Sequence, residues 1–201
     1  MRKINEIFYS LQGEGAHTGV PSVFVRFSGC NLRCPFCDTH HESGKQVADE
    51  EIFKAVSRYP AEWVILTGGE PSLHIDAEFI RALKAATGKK VAIETNGTTP
   101  LPAGIDWVTV SPKTGMGAGT PGSDAVRIDY ADEIKVVDLG QPLEPYFALP
   151  CRKEETLMYL QPCYVEDKTQ REANLRRTIR RVTTDPRWRL SLQIHRILDI
   201  P

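Results

Sequence analysis

This chain lacks the features that tie a protein to a membrane, to secretion or to nucleic acid. No apolar run approaches the ~20 residues that cross a bilayer, so no transmembrane helix is expected. The opening Met1-Arg2-Lys3-Ile4-Asn5-Glu6 has no apolar core and does not read as a secretory signal. Neither sign of charge dominates: 25 Lys+Arg stand against 26 Asp+Glu, for a net charge of −1. There is therefore no global pull toward nucleic acid or an anionic surface, and the basic run Arg171 to Arg181 reads as the solvated face of a helix. Repeats and interdomain linkers are absent too, which leaves one domain over residues 1–201, large enough to bury a sizeable core. Cysteine is scarce, with five residues, and two of them, Cys151 and Cys163, are isolated. Crowding of the other three points to a reducing compartment and a metal, hence to the cytoplasm.

Those three are Cys30, Cys34 and Cys37, within eight residues, in the run Gly29-Cys30-Asn31-Leu32-Arg33-Cys34-Pro35-Phe36-Cys37-Asp38-Thr39. The spacing is C-x3-C-x2-C. Three neighbouring thiols cannot pair off as disulfides without leaving one over, but they can converge on one metal centre. An iron–sulfur cube ordinarily takes four cysteine thiolates. A three-cysteine loop would leave one iron open, and an open position on a metal is a place for chemistry. The alternative is a structural zinc site with His40 or His41 as fourth ligand. Zinc ligands usually come as two separated pairs, however, and no second C-x2-C is present. Packing as small hydrophobes does not suit so polar a loop.

Along the chain, apolar strand-like runs alternate with amphipathic stretches. Strands are expected at Ile4 to Tyr9, Ser22 to Phe27, Trp63 to Leu66, Val91 to Thr95, Trp107 to Val110, Glu133 to Val137, Thr156 to Leu160 and Trp188 to His195. Helices are expected at Ala48 to about Arg58, Asp76 to Ala86 closed by Gly88, and Glu172 to Val182. This is the pattern of an α/β protein with a mostly parallel sheet and short helical crossovers. Helices are too few for eight βα units, so an incomplete, splayed TIM-like barrel is expected. Polar and glycine-rich residues fall at the C-terminal ends of the strands, where such folds build their sites. One is Thr67-Gly68-Gly69-Glu70-Pro71, whose glycines allow close approach to a ligand. Thr114 to Asp124, rich in small residues, reads as a flexible loop placed to act as a lid. Leu139 to Arg152 reads as a Pro-punctuated connection with a short helix.

With an aromatic before its third cysteine and Gly68-Gly69-Glu70-Pro71 downstream, this chain resembles the radical S-adenosylmethionine enzymes. Glu6 to Gly15, Phe24 to Leu32, Cys37-Asp38-Thr39, Ile93 to Gly97, Val110 to Lys113, Glu133 to Val137, Leu160-Gln161-Pro162 and Arg189 to Pro201 carry a narrower likeness. Through them the chain is similar to the 7-carboxy-7-deazaguanine synthase family. The resemblance implies a partial barrel of the radical S-adenosylmethionine type. It implies conversion of 6-carboxy-5,6,7,8-tetrahydropterin to 7-carboxy-7-deazaguanine and ammonia, for queuosine and other deazapurines. The radical would abstract the C6 hydrogen, ring contraction would follow, and the cofactor would be regenerated.

Implied with it are a [4Fe–4S] cluster on Cys30, Cys34 and Cys37, S-adenosylmethionine, and Mg2+ held through Thr39. Substrate contacts are implied at Leu11, Gln12, Gly13, Arg26, Thr67 and the carboxylate of Pro201, with Arg26 receiving the substrate carboxylate. Cofactor contacts are implied at Gly69, Ser111, Pro112, Lys113, Gln161, Pro162, Cys163 and Tyr164. Glu14, Glu94 and His195 serve equally well as further site residues or as hydrogen-bonded structural ones. By itself, Arg26 also fits a strand-end ion pair. A homodimer and an electron donor such as flavodoxin or ferredoxin are implied as partners. A glycyl-radical activase and a non-catalytic metal-binding module are the other readings. The turn Leu11 to Gly15 and the ending His195 to Pro201 argue against the activase.

Overall fold

The computed structural model describes residues 1–39, 42–120 and 122–201. Among them nine strands form one sheet: β1 Arg2–Leu11, β2 Pro21–Phe27, β3 Lys45–Val47, β4 Trp63–Gly68, β5 Lys90–Thr95, β6 Trp107–Val110, β7 Glu133–Asp138, β8 Leu157–Pro162 and β9 Arg189–Leu190. The helices are α1 Asp49–Ser57, α2 Ala77–Thr87, α3 Lys168–Thr184 and α4 Ile194–Leu198. The strand order is β3-β1-β2-β4-β5-β6-β7-β8-β9. β1 pairs antiparallel with β2 and β3, and every pairing from β2 to β9 is parallel. The sheet is open, as expected for an incomplete barrel. No helix among the described residues is long and apolar enough to cross a membrane.

Local chemistry explains the helix ends. Asp76 caps α2 by accepting from Phe79 N at 2.8 Å, and Gly88 closes it in the left-handed conformation, φ 67°. Asp49, Glu50 and Glu51 open α1, where negative charge suits the helix dipole. In α3 Asp167 accepts from Gln170 N at 2.7 Å, so the helix starts four residues before the expected Glu172. Its polar first turn hides that start from a hydrophobic-periodicity reading.

The two sheet faces differ. One face, with Val23, Val25, Phe27, Val64, Leu66, Val91 and Ile93, packs on Ile52 and Val56 of α1 and Phe79, Ile80 and Leu83 of α2. Each such side chain contributes about 1.5–3 kcal/mol by leaving water. On the other face the register places Phe24 beside Ile65 and Ile65 beside Ala92. Phe8, Trp63 and Trp107 pack against these three. His17 stands 4.6 Å from each of the Trp63 and Trp107 rings, at the edge where β4 and β6 begin. Two residues further along the strands the same face becomes polar: Arg26 beside Thr67, Glu94 beside Thr109, Thr109 beside Glu133. An aromatic floor thus lies beneath a charged mouth.

One expectation needs correction. Trp188 to His195 is not one strand. Only Arg189–Leu190 pairs, and His195 lies on α4. The alternating Leu190, Leu192 and Ile194 mimic a strand, but Ile194 N instead bonds the Gly13 carbonyl at 3.0 Å and draws the chain across the sheet edge. The described residues of Thr114 to Asp124 form turns and bends, as expected of a loop, and part of the loop packs inward. Arg33 N donates to the Ala118 carbonyl at 2.7 Å, and Met116 and Ala118 are buried. The expected connection at Leu139 to Arg152 does carry a short helical turn, Glu144–Ala148.

Candidate active site

The thiol loop leaves β2 through Gly29, whose φ of 98° turns the chain. It meets the loop after β4 at van der Waals limits. Gly69 N donates to Phe27 O at 3.1 Å and Glu70 N to Gly29 O at 2.9 Å. Glu70, fully buried, takes no outward role. It accepts from Ser72 N at 3.0 Å, the Thr95 hydroxyl at 2.7 Å and Asn96 N at 2.7 Å. Asn96 in turn donates to Asn31 Oδ1 at 3.0 Å, and Asn31 donates to the Thr98 hydroxyl at 2.8 Å. The cysteine loop is therefore held by the ends of β4 and β5.

Cys30, Cys34 and Cys37 are free and line one cavity of about 760 Å³. Leu32 N donates to Cys30 Sγ at 3.4 Å, a contact that suits a thiolate. Burial raises the Cys30 and Cys34 thiols, and coordination to a cation deprotonates such thiols outright. Three soft sulfur donors on one wall fit an iron–sulfur cube with one open iron. The alternative zinc ligands His40 and His41 lie outside the described residues. Among the described residues no three His, Cys, Asp or Glu side chains group around a single metal ion.

Of the expected site residues, Gln12, Gly13, Arg26, Thr39, Thr67, Gly69, Ser111, Lys113, Gln161, Pro162, Cys163, Tyr164 and Pro201 all line this cavity, as do Glu14, Glu94 and His195. Leu11 and Pro112 do not. Leu11 is taken up in the β1–β2 ladder opposite Pro21, and Pro112 is buried. Arg26 makes the expected strand-end ion pair. Glu6 accepts from its Nε at 2.7 Å, and its terminal nitrogens have no partner among the described residues. Its guanidinium lies 5.4 Å over Phe8, which stacks on Phe24 at 4.8 Å. Lys113 Nζ donates to the Ser111 carbonyl and hydroxyl at 2.7 and 2.6 Å, and burial pulls its pKa down.

Sequence reasoning missed Lys135. Its Nζ lies 2.5 Å from Glu14 Oε2 and 2.7 Å from Glu94 Oε2. Burial works to raise the Glu14 carboxyl, but Lys135 outweighs it by charge and hydrogen bond, Gln193 adds another, and the pKa falls to about 2. Burial likewise opposes the Lys135 charge and is outweighed by Glu14, Glu94 and Glu133, so its pKa rises. A signal was present: Glu133 and Lys135 alternate with Ile134 and Val136, the mark of a strand with one charged face.

The C-terminal segment closes the site. Gln193 donates to Glu14 Oε1 at 2.8 Å and Asp38 Oδ2 at 3.1 Å. Arg196 pairs with Asp38 at 3.4 Å and lies 3.9 Å over the Tyr164 ring. His195 packs on Gly13 so closely that a methyl there would come 2.1 Å from its Nδ1. Burial lowers the His195 pKa against the pull of Glu14.

An open α/β sheet with three thiols at the C-terminal edge of its parallel strands is the frame of a radical S-adenosylmethionine enzyme, and residues 24–117 match the family model described as Radical SAM superfamily. The chain is 54% identical over 200 residues to 7-carboxy-7-deazaguanine synthase of Bacteroides thetaiotaomicron, covering 100% of this chain and 99% of that one. It is 36% identical to the Haemophilus influenzae protein of the same name, over 98% and 93% of the two chains. The crystal structure of QueE from Escherichia coli superposes with a TM-score of 0.76 at 30% identity, covering 96% and 93%. The chain belongs to the 7-carboxy-7-deazaguanine synthase family.

Proposed function

We infer that the protein converts 6-carboxy-5,6,7,8-tetrahydropterin into 7-carboxy-7-deazaguanine with loss of ammonia, a lyase step of deazapurine (queuosine) biosynthesis. The observation that carries this is that three free thiols, a guanidinium and a carboxylate pair line one cavity. Full-length likeness to proteins named for this activity supports it.

In this reading Cys30, Cys34 and Cys37 hold a [4Fe–4S] cluster. Such a cluster, with S-adenosylmethionine bound, would supply the one-electron radical chemistry that the reaction needs. The chain's own residues bind, orient and exclude water. Gly69, Ser111, Lys113, Gln161, Pro162, Cys163 and Tyr164 form the cofactor side of the cavity. Arg26 offers a planar guanidinium to the substrate carboxylate. The Phe8–Phe24 stack gives the flat ring an apolar wall. Gln12, Gly13, Thr67 and Pro201 complete the pterin side. Thr39, with substrate oxygen and water, suits Mg2+, a hard ion that keeps much of its hydration. The reading includes a single functional domain, a homodimer, a cytoplasmic location and an electron donor such as flavodoxin or ferredoxin.

The test is anaerobic incubation of reconstituted protein with S-adenosylmethionine, Mg2+, a reductant and 6-carboxytetrahydropterin. Formation of the deazaguanine chromophore is expected. Its absence from protein carrying a full iron complement would overturn the reading.

A further inference from the structure

One charged group in the cavity wall has no part in the chemistry above. Lys135 stands in the middle of β7 with its side chain 4% exposed, bridging Glu14 in the turn after β1 and Glu94 on β5. Gln193 and Gln12 hold the outer oxygens of the same two carboxylates, at 2.8 and 2.9 Å. A carboxylate has about four lone-pair sites, so both groups keep acceptor capacity toward the cavity they line. Two carboxylates against one ammonium leave negative charge in surplus, and partial burial makes it felt.

We propose that Lys135 is a positioning and specificity-determining residue. It clamps Glu14 and Glu94 as an ionised acceptor pair that selects a ligand edge of N–H donors, such as the aminopyrimidinone edge of a pterin. This rests on the substrate reading above. An edge carrying a carbonyl in place of the amino group meets acceptor with acceptor and is rejected. Without the ammonium, two partly buried carboxylates would face each other. One would then take up a proton, because like charges in one site do not both ionise readily. The protonated group would present a donor where the ligand needs an acceptor.

The other charged groups facing the clamp are Glu133, His195, His17 and Lys113. Glu133 is held by Ala16 N at 2.8 Å and Thr109 Oγ1 at 3.1 Å, and burial raises its carboxyl, which lessens its competition for Lys135. Burial lowers the imidazoles of His195 and His17 and the ammonium of Lys113. Neither histidine therefore replaces the Lys135 charge at neutral pH.

The test uses the anaerobically reconstituted holoenzyme and two fluorescent ligands, 6-carboxypterin and 6-carboxylumazine, which has a carbonyl in place of the 2-amino group. Wild type is expected to bind the pterin at least about tenfold more tightly, one good hydrogen-bonding difference, with an affinity flat from about pH 6 to 8. Lys135→Met is expected to lose most of that preference. Its substrate KM should rise more than kcat falls, and should climb further as pH drops and a carboxyl protonates. In Lys135→Met with Glu14→Gln the repulsion is gone and the pH dependence should vanish. Equal binding of the two ligands by wild type overturns the proposal even if no variant folds. So does a Lys135→Met enzyme with wild-type KM and a flat pH profile, or a pH dependence that survives in the double variant. A wild type that makes no deazaguanine fails the substrate reading instead.

Discussion

Gly69 passes so close to Gly29 that a methyl group added at Gly69 would lie 2.0 Å from the Gly29 carbonyl oxygen and 3.2 Å from Cys30 Cβ. The obstacle is backbone, which cannot swing aside. Gly69→Ala is therefore expected to push the two loops apart, at an overpacking cost of about 1–3 kcal/mol. Iron loading should fall with it. The check is iron content and urea denaturation of the reconstituted protein. An alanine variant with full iron and wild-type stability would show that the loops do not need this contact.

Glu70 lies beneath the same junction and accepts three hydrogen bonds, from Ser72 N, Thr95 Oγ1 and Asn96 N. Glu70→Gln turns one acceptor into a donor that faces another donor. A loss of about 1.5–3 kcal/mol is expected, the worth of a hydrogen bond to a charged group. Denaturation of the metal-free protein measures it without involving the cluster. A change below half a kilocalorie per mole would remove the bracing role.

Among the cysteines, the structure separates three from one. Cys30→Ala, Cys34→Ala and Cys37→Ala are each expected to lose iron binding and turnover. Cys151 is wholly buried away from the cavity, with burial raising its thiol pKa to about 11. Cys151→Ala should keep both iron and turnover. Full activity in any of the first three variants would refute the cluster assignment.

Arg196 reaches both Asp38 and the Tyr164 ring from α4. Arg196→Ala gives up a cation–π contact worth about 0.5–2 kcal/mol and a partly exposed ion pair worth little. The KM for S-adenosylmethionine should rise about three- to tenfold, with kcat less affected. Steady-state kinetics at varied cofactor concentration decide it, and an unchanged KM would detach Tyr164 from cofactor binding.

Acid stability follows from Glu14. Its folded pKa, about 2, lies below the ordinary 4.5. A carboxylate depressed on folding stabilises the protein above its unfolded pKa, and that contribution is lost as pH falls from 4.5 toward 2. Glu14→Gln should flatten this part of the acid-unfolding curve. Identical acid titrations of wild type and variant would show that Glu14 is not the group responsible.

Much of the fold was legible because its signals are local. Asp76 and Gly88 bracket α2 through hydrogen bonds and dihedral freedom within a few residues of chain. Val64, Ile65 and Leu66 read as a strand buried on both faces, and each is at most 2% exposed. The cysteine loop could be read because its donors are neighbours in sequence. The last strand misled because Leu190, Leu192 and Ile194 alternate as a strand does, while the bond from Ile194 N to Gly13 O comes from the far end of the chain.

By itself the sequence determined the elements, the three-thiol motif and the family likeness, all of which rest on chemistry between residues near one another in the chain. The tertiary structure alone decided how Lys135 meets Glu14 and Glu94, with partners 121 and 41 residues away. It also decided that Glu70 braces the thiol loop, and that Arg196 and Gln193 reach Asp38. The reason is physical. Parallel strands joined by long crossovers bring their C-terminal ends together whatever their order in sequence, and side chains two apart on a strand share a face. A charge on one strand then acquires its meaning from strands whose register no single stretch of sequence contains.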